Sequence, residues 1–284
     1  MIPLQDIIAW RAKAPWASDL MVEQDWLISR AVELIFANAK LRTQLAMRGG
    51  TVLHKGHLAP AARYSEDIDL VLIEPRRSHS GIRKDLANAL EPLLGKPSES
   101  VITWVTLFVR NLTAKSKIAR LTYRYGPTDS SAALATLKVE VNLNETQPFF
   151  PLAQVPVEVP LTGDVSKSIE VVSYDLNEML ATKLRALLQR EHGRDLFDLW
   201  HAWRTSEARG TGVVDPARVG QAFRFYLQQE GSDRFTLADV QTEMERRMRS
   251  RKFLNDMQGY LPVGMRYDPH VAYEDFFRVF LPHL

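Results

Sequence analysis

The chain has 284 residues, 45% of them hydrophobic and 25% charged, an ordinary globular composition that is long for one domain and short for three. It contains no cysteine, which excludes disulfides, thiolate metal sites and cysteine nucleophiles and fits a reducing cytoplasm. A net charge of +2 permits a nucleic-acid partner without demanding one.

The first sixteen residues carry Asp6, Arg11 and Lys13 and lack the unbroken apolar run of a secretion signal. No stretch approaches the length of a membrane span, so a cytoplasmic protein without a membrane partner is expected. Leu27, Ala31, Leu34 and Ile35 give residues 22–37 a helical period. Leu45 to Arg48 reads as a short strand entering a Gly49-Gly50 turn, and residues 51–57 as one or two helical turns before a loop ending at Pro60. Residues 67–73 form a strand, and 81–94, with Leu86, Ala89, Leu90 and Leu93, an amphipathic helix. Strands are expected at 101–109, 118–125 and 134–143. Pro148, Pro151, Pro156 and Pro160 make residues 146–160 a poor helix and a plausible connector. Helices follow near 175–190, 193–204, 215–229, 236–250 and 269–281. This order predicts an α/β (α+β) protein: a small mixed sheet with a helix on it, then a helical C-terminal domain, divided as 1–165 and 166–284.

Three basic clusters stand out: Arg76, Arg77, Arg83 and Lys84; Lys115, Lys117, Arg120 and Arg124; and Arg246, Arg247, Arg249, Arg251 and Lys252. Each is explained as well by a solvated face as by a nucleic acid.

The chemistry concentrates in Arg63-Tyr64-Ser65-Glu66-Asp67-Ile68-Asp69-Leu70. On a strand, Ile68, Leu70 and Leu72 enter one apolar layer, while Asp67 and Asp69 project together from the other face, about 6.5–7 Å apart at the Cα atoms. Two carboxylates so close repel unless a cation lies between them, and Mg²⁺ or Mn²⁺ suits that arrangement. A lone Asp-x-Asp is a common strand end; its neighbours sharpen the reading. Upstream, Arg48-Gly49-Gly50-Thr51 makes a turn that lets the backbone approach a phosphate. Thr51 is placed to donate a hydroxyl or cap the helix that follows, and Arg48 and Lys55 to reach phosphate oxygens. Downstream, Leu137, Val139 and Val141 alternate with Lys138, Glu140 and Asn142. If that strand pairs with the Asp67 strand, Glu140 joins the aspartates as general base or further ligand.

A second constellation opens with Asp175 as N-cap and Glu178 three residues on. Lys183 lies in the apolar stripe of Leu176, Met179, Leu180, Leu184 and Leu187, so it points inward. A buried ammonium needs an anion; the alternatives are a snorkelling lysine and one that meets NTP phosphates in a cleft between the modules. Asp195 and Asp198 fall in the first turn of the next helix, where capping, or an Arg194–Asp198 pair at i, i+4, is an ordinary explanation.

Taken together, the chain resembles the AbiEii/MenT nucleotidyltransferase toxins of the DNA polymerase β-like superfamily. The matching residues are Arg48-Gly49-Gly50-Thr51-x-Leu53-x-Lys55, Arg63-Tyr64-Ser65-Glu66-Asp67-Ile68-Asp69-Leu70, Glu178-x-x-x-x-Lys183-Leu184-x-Ala186-Leu187 and Arg194-Asp195-Leu196-x-Asp198-Leu199, in order over roughly residues 20–205. The resemblance implies a nucleotidyltransferase core, Asp67 and Asp69 as metal ligands, and Lys183 and Asp195 as later catalytic residues. Arg48, Gly49, Gly50, Thr51, Lys55 and Ser65 become the candidate nucleotide-binding set. It also implies an NTP substrate, an RNA acceptor such as the tRNA 3′ end, and a cognate antitoxin protein. Arg48 stands where some relatives have lysine, and Glu140 where aspartate is commoner in the superfamily. The rival readings are a nucleotidyltransferase acting on a small molecule or protein, and a non-catalytic binding protein on the same fold. His54 and His57 are expected on the surface or at a helix cap rather than as a metal pair. Trp200, Trp203, Phe276, Phe277 and Phe280 are expected in the core.

Overall fold

Ser18 turns the chain into its first long helix: its hydroxyl accepts the amide of Met21 at 3.3 Å, satisfying a donor that has no partner within the helix. The computed structural model describes residues 2–74, 77–95, 106–110, 118–129, 132–229 and 236–284. Two compact units divide the chain, one of Met1–Gln147 with Leu152–Ser173, the other of Pro148–Pro151 with Tyr174–Leu284. The boundary expected at 165/166 therefore falls eight residues early, and the 148–151 segment goes with the second unit.

In the first unit, helices α1 (Leu4–Trp10), α2 (Asp19–Ala37) and α3 (Ala39–Gln44) lead into strand β1 (Leu45–Arg48), the short helix α4 (Gly49–Val52) and a wide π turn at Leu53–His57. Strand β2 (Asp67–Leu72), helix α5 (His79–Leu94) and strands β3 (Thr106–Arg110), β4 (Ile118–Tyr125), β5 (Ala135–Asn142), β6 (Ala153–Pro160) and β7 (Ser166–Ser173) complete it. Among the described residues one seven-stranded mixed sheet results, in the order β3-β4-β5-β2-β1-β7-β6. Helix α2 packs against β2, β6, β7 and α5, and α5 against β4. The buried Ile68, Leu70, Val139, Val141, Leu121 and Tyr123 supply the apolar layer. Each such side chain stabilises the fold by about 1.5–3 kcal/mol when removed from water.

The sheet is wider than the sequence suggests, because the 146–160 region is not simply a connector. Val155, Val157 and Val159 are buried and alternate with Gln154, Pro156 and Glu158, making β6 a strand paired antiparallel with β7. Proline survives there because β6 is the sheet's edge, where a missing N–H need not break a ladder. Of the strand expected at 101–109, residues 106–110 are seen in β3; residues 101–105, and the clustered Arg76, Lys115 and Lys117, lie outside the described residues.

The second unit consists of α6 (Leu176–Gln189), α7 (Gly193–Arg209), α8 (Pro216–Gln229), α9 (Leu237–Met248), α10 (Arg251–Asn255) and α11 (Pro269–Asp275), followed by a π turn at Phe276–Phe280 and a 3₁₀ turn at Leu281–His283. Helix α6 packs on α7 and α8 through Leu180, Leu184 and Leu187, all fully buried. Phe276 and Phe280 are core residues as expected, whereas Trp200, Trp203 and Phe277 are half-buried. Among the described residues no helix is long and apolar enough to cross a membrane.

Candidate active site

The two aspartates sit where period-2 alternation puts them. In β2 the burial alternates through Asp67-Ile68-Asp69-Leu70, with both aspartates half-buried on the polar face. Strand β5 runs parallel to β2 with Asp69 opposite Glu140, and β1 runs antiparallel with Arg48 opposite Asp69. The pairing of the Glu140 strand with the Asp67 strand is thus observed. The Glu140 carboxylate, however, is ion-paired with Arg120 at 2.6 Å, a partner from β4.

Asp67 is the strained member of the group. Burial raises its carboxyl, Lys138 at 3.4 Å lowers it, and Asp69, Glu140 and Glu66 raise it again, leaving it pushed up to about 6. Apart from that long ion pair, its Oδ1 is buried with no hydrogen-bond partner. An acceptor oxygen held this way, beside a second carboxylate, is suited to a divalent cation. Among the described residues no three His, Asp or Glu side chains gather as a complete metal cage. The residues that could hold a divalent cation are Asp67 and Asp69.

The Gly49-Gly50 turn that opens α4 is pressed onto this strand. Gly49 has φ +85°, and a β-carbon there would lie 2.1 Å from Asp69 Oδ2. A β-carbon on Gly50 would meet Arg63 Nη2 at 2.6 Å and Ser65 Oγ at 3.0 Å. Thr51 does not cap the helix; its hydroxyl donates to the Asp67 carbonyl at 2.6 Å and lies 3.0 Å from Ser65 Oγ. Turn and carboxylate strand are thereby stitched together through Thr51, Ser65 and the two glycines.

Two other expected phosphate ligands are engaged elsewhere. Arg48 pairs with Glu145, and Lys55 pairs with the buried Asp25 at 2.5 Å. Asp25 also accepts the indole N–H groups of Trp10 (2.7 Å) and Trp16 (3.1 Å), so it anchors the lysine within a packed aromatic corner. His54 is fully buried in the π turn rather than on the surface, and His57 lies 3.0 Å from Ser173 Oγ.

In the helical unit Asp175 caps α6, accepting the amides of Asn177 (2.9 Å) and Glu178 (3.4 Å). Glu178 does not close a capping box. It is fully buried and accepts the amides of Phe149 (2.7 Å) and Phe150 (2.9 Å) and the Tyr226 hydroxyl (2.5 Å). Burial pushes its carboxyl up, against the lowering effect of those three donors.

Lys183 is not a snorkelling lysine. It is buried, 2.8 Å from Asp198 and 3.5 Å from Asp195, both of which are fully shielded from solvent. Arg190 grips Asp195 with two bonds of 2.8 and 2.9 Å. The Arg194 amide donates to Asp256 at 3.0 Å while its guanidinium lies over Tyr260. Four residues escape the sequence as site elements: Arg190 and Asp25 carry no signal, Arg63 lies in the Arg63–Leu70 motif without a role of its own, and Asp198 invites only a capping or Arg194-pairing explanation.

The family described as nucleotidyl transferase AbiEii toxin, type IV toxin–antitoxin system, matches residues 31–278. No curated protein is matched by sequence. Among solved structures, MenT4, the nucleotidyltransferase toxin Rv2826c of Mycobacterium tuberculosis H37Rv, is similar with a TM-score of 0.63 and 15% identity, over 98% of this chain and 90% of that one. A putative nucleotidyltransferase from H. pylori is similar with a TM-score of 0.53 and 16% identity, over 94% of this chain and 96% of the other. At such identities these two likenesses concern the fold.

Proposed function

The chain belongs to the AbiEii family of nucleotidyltransferase toxins of type IV toxin–antitoxin systems, and on that premise we propose that it transfers a nucleoside monophosphate from an NTP to RNA, at the tRNA 3′ end. One observation carries the reading furthest. The Gly49-Gly50 turn is packed against Asp69 so closely that no side chain fits between them, which brings a close-approach glycine backbone, suited to a phosphate, beside the paired carboxylates.

In this reading Gly50 and Thr51 hold the triphosphate, with Arg63 and Ser65 fixing the turn from behind. Bound by Asp67 and Asp69, Mg²⁺ or Mn²⁺ would lower the charge barrier between the triphosphate and an incoming alcohol. Glu140 takes the proton of the acceptor hydroxyl as its oxygen bonds to the α-phosphorus, and the bond to pyrophosphate breaks in line. Lys183, paired with Asp198 and Asp195 within the helical unit, is assigned as a further catalytic residue, and Asp195 to its positioning. The family setting implies a cognate antitoxin protein, and the toxin acts in the cytoplasm.

The test incubates purified protein with Mg²⁺, each of four α-labelled NTPs and total tRNA, beside Asp67→Asn. Label on tRNA that vanishes in the variant is expected and names the nucleotide. Label appearing on protein or a small molecule instead would replace the acceptor. Failure of the chain to bind any NTP would overturn the enzymatic reading.

A further inference from the structure

The basic cluster at the end of α9 has a neighbour that sequence distance conceals. Gly193, at the start of α7, packs so tightly under the carbonyl of Phe253 in α10 that a β-carbon would lie 2.2 Å from that oxygen. Asp256, at the end of α10, accepts the Arg194 amide. This close approach brings the 190–194 turn beside residues 246–252. The surroundings of Glu191 report the same proximity: its exposed carboxyl is drawn down by a Ser250 hydrogen bond and by Lys252, Arg246 and Arg247.

The residues on this face are not all equivalent. Arg247 is buried and serves the fold, donating to the Leu188 carbonyl at 3.2 Å and pairing with Glu243. The side chains of Arg249 and Arg246 are 82% and 61% exposed, that of Arg190 is 49% exposed, and Arg251 and Lys252 are also exposed. The stretch 243–252 carries five cations against two carboxylates, an excess that exposed ion pairs cannot neutralise. None of the exposed large hydrophobic residues of the described chain falls in 188–194 or 243–256. A protein-binding surface has a desolvated apolar centre; this one is polar throughout and rich in arginine, whose fork matches phosphate oxygens.

We propose that the face built by the α6–α7 turn and the α9–α10 corner, with Arg190, Arg246, Arg249, Arg251 and Lys252, binds the phosphodiester backbone of the RNA acceptor. The inference rests on the reading that the acceptor is RNA, and extends it to a surface. Arg190 joins this face to the candidate chemistry, because the guanidinium at its edge is the one that grips Asp195 beside Lys183. A strand lying across the exposed arginines would thus be led toward that buried pair.

The test compares Arg249→Ala/Arg251→Ala/Lys252→Ala with a charge-matched control, Arg209→Ala/Arg266→Ala/Arg278→Ala, in the full chain. Binding of total tRNA is followed by anisotropy across a salt series, with NTP binding and poly-glutamate binding measured alongside. The first triple variant is expected to lose at least tenfold in tRNA affinity and to flatten the salt dependence by about two to three phosphate contacts, at roughly 0.7–0.9 per contact. NTP binding should be unchanged and the control should stay within about twofold. Equal losses in both variants, or a loss confined to poly-glutamate, would overturn the surface. If the wild-type chain labels RNA while the first triple variant binds it normally, only the surface falls. If the wild-type chain neither binds nor labels RNA, the acceptor reading falls and takes the surface with it.

Discussion

Asp69 Oδ2 occupies the space that a β-carbon would need on Gly49, 2.1 Å from where that carbon would stand. The glycine is therefore demanded twice, by its φ of +85° and by the carboxylate above it. Neither the turn nor the aspartate can shift without displacing the other, so glycine turn and carboxylate strand form one mechanical piece.

Gly49→Ala should cost more than a glycine substitution that meets only the backbone penalty. Gly163 supplies the comparison, with φ +65° and nothing within 4 Å of its added β-carbon. Gly163→Ala is expected to cost about 1–2 kcal/mol. Gly49→Ala should cost about twice that and lower kcat/KM at least tenfold. Calorimetry and transfer kinetics check both; equal melting temperatures for the two variants would remove the collision from the account.

Asp67 works against the fold when no cation is bound. Its carboxyl is pushed up to about 6, above the ordinary unfolded value of about 3.9. Such a group favours folding while protonated, and that benefit is lost as pH rises through 6. Asp67→Asn should therefore stabilise the chelator-treated protein at pH 7.5 while abolishing transfer. With the side chain 32% exposed, solvent screening limits the gain to about 1–2 kcal/mol. The gain should shrink as pH falls below 6 and on addition of Mg²⁺. A variant less stable than wild type in chelator at pH 7.5 would contradict the burial that motivates this.

Changing Lys183 should cost stability, and the share of each aspartate in that cost can be separated. Removing a buried cation from two shielded aspartates costs about 3–5 kcal/mol. The ammonium lies closer to Asp198, at 2.8 Å, than to Asp195, at 3.5 Å. Adding Asp198→Asn to Lys183→Met should hence recover more stability than adding Asp195→Asn, as read from urea midpoints. Equal recovery would mean that Lys183 divides its charge evenly between the two.

Much of the carboxylate site is legible in the sequence, because a strand's two-residue period carries Asp67 and Asp69 onto one face by counting, while Glu140 joins them only through the pairing of β5 with β2. The limits of legibility are tertiary. Spacing alone suits Arg194 to Asp198, yet Asp198 meets a lysine from another helix and Arg194 meets Asp256. Glu178 follows a capping motif but faces Phe149, Phe150 and Tyr226, which no local pattern brings near. Lys55 lies close to the glycine turn in sequence and is claimed by Asp25 in space. Pro156 and Pro160 argued for a connector because a proline's meaning depends on whether its strand has neighbours on both sides.

Those prolines also have a consequence for the company the protein keeps. An edge strand ordinarily offers incoming chains a row of donors and acceptors, a template for runaway strand addition. Two residues of β6 have no N–H to offer, and Pro156 stands beside the charged Glu158 along it. A second chain settling on this border would find gaps in the ladder and a charge to desolvate. The hairpin that widens the sheet thus also ends it, helping an enzyme with an open-edged sheet to remain dispersed.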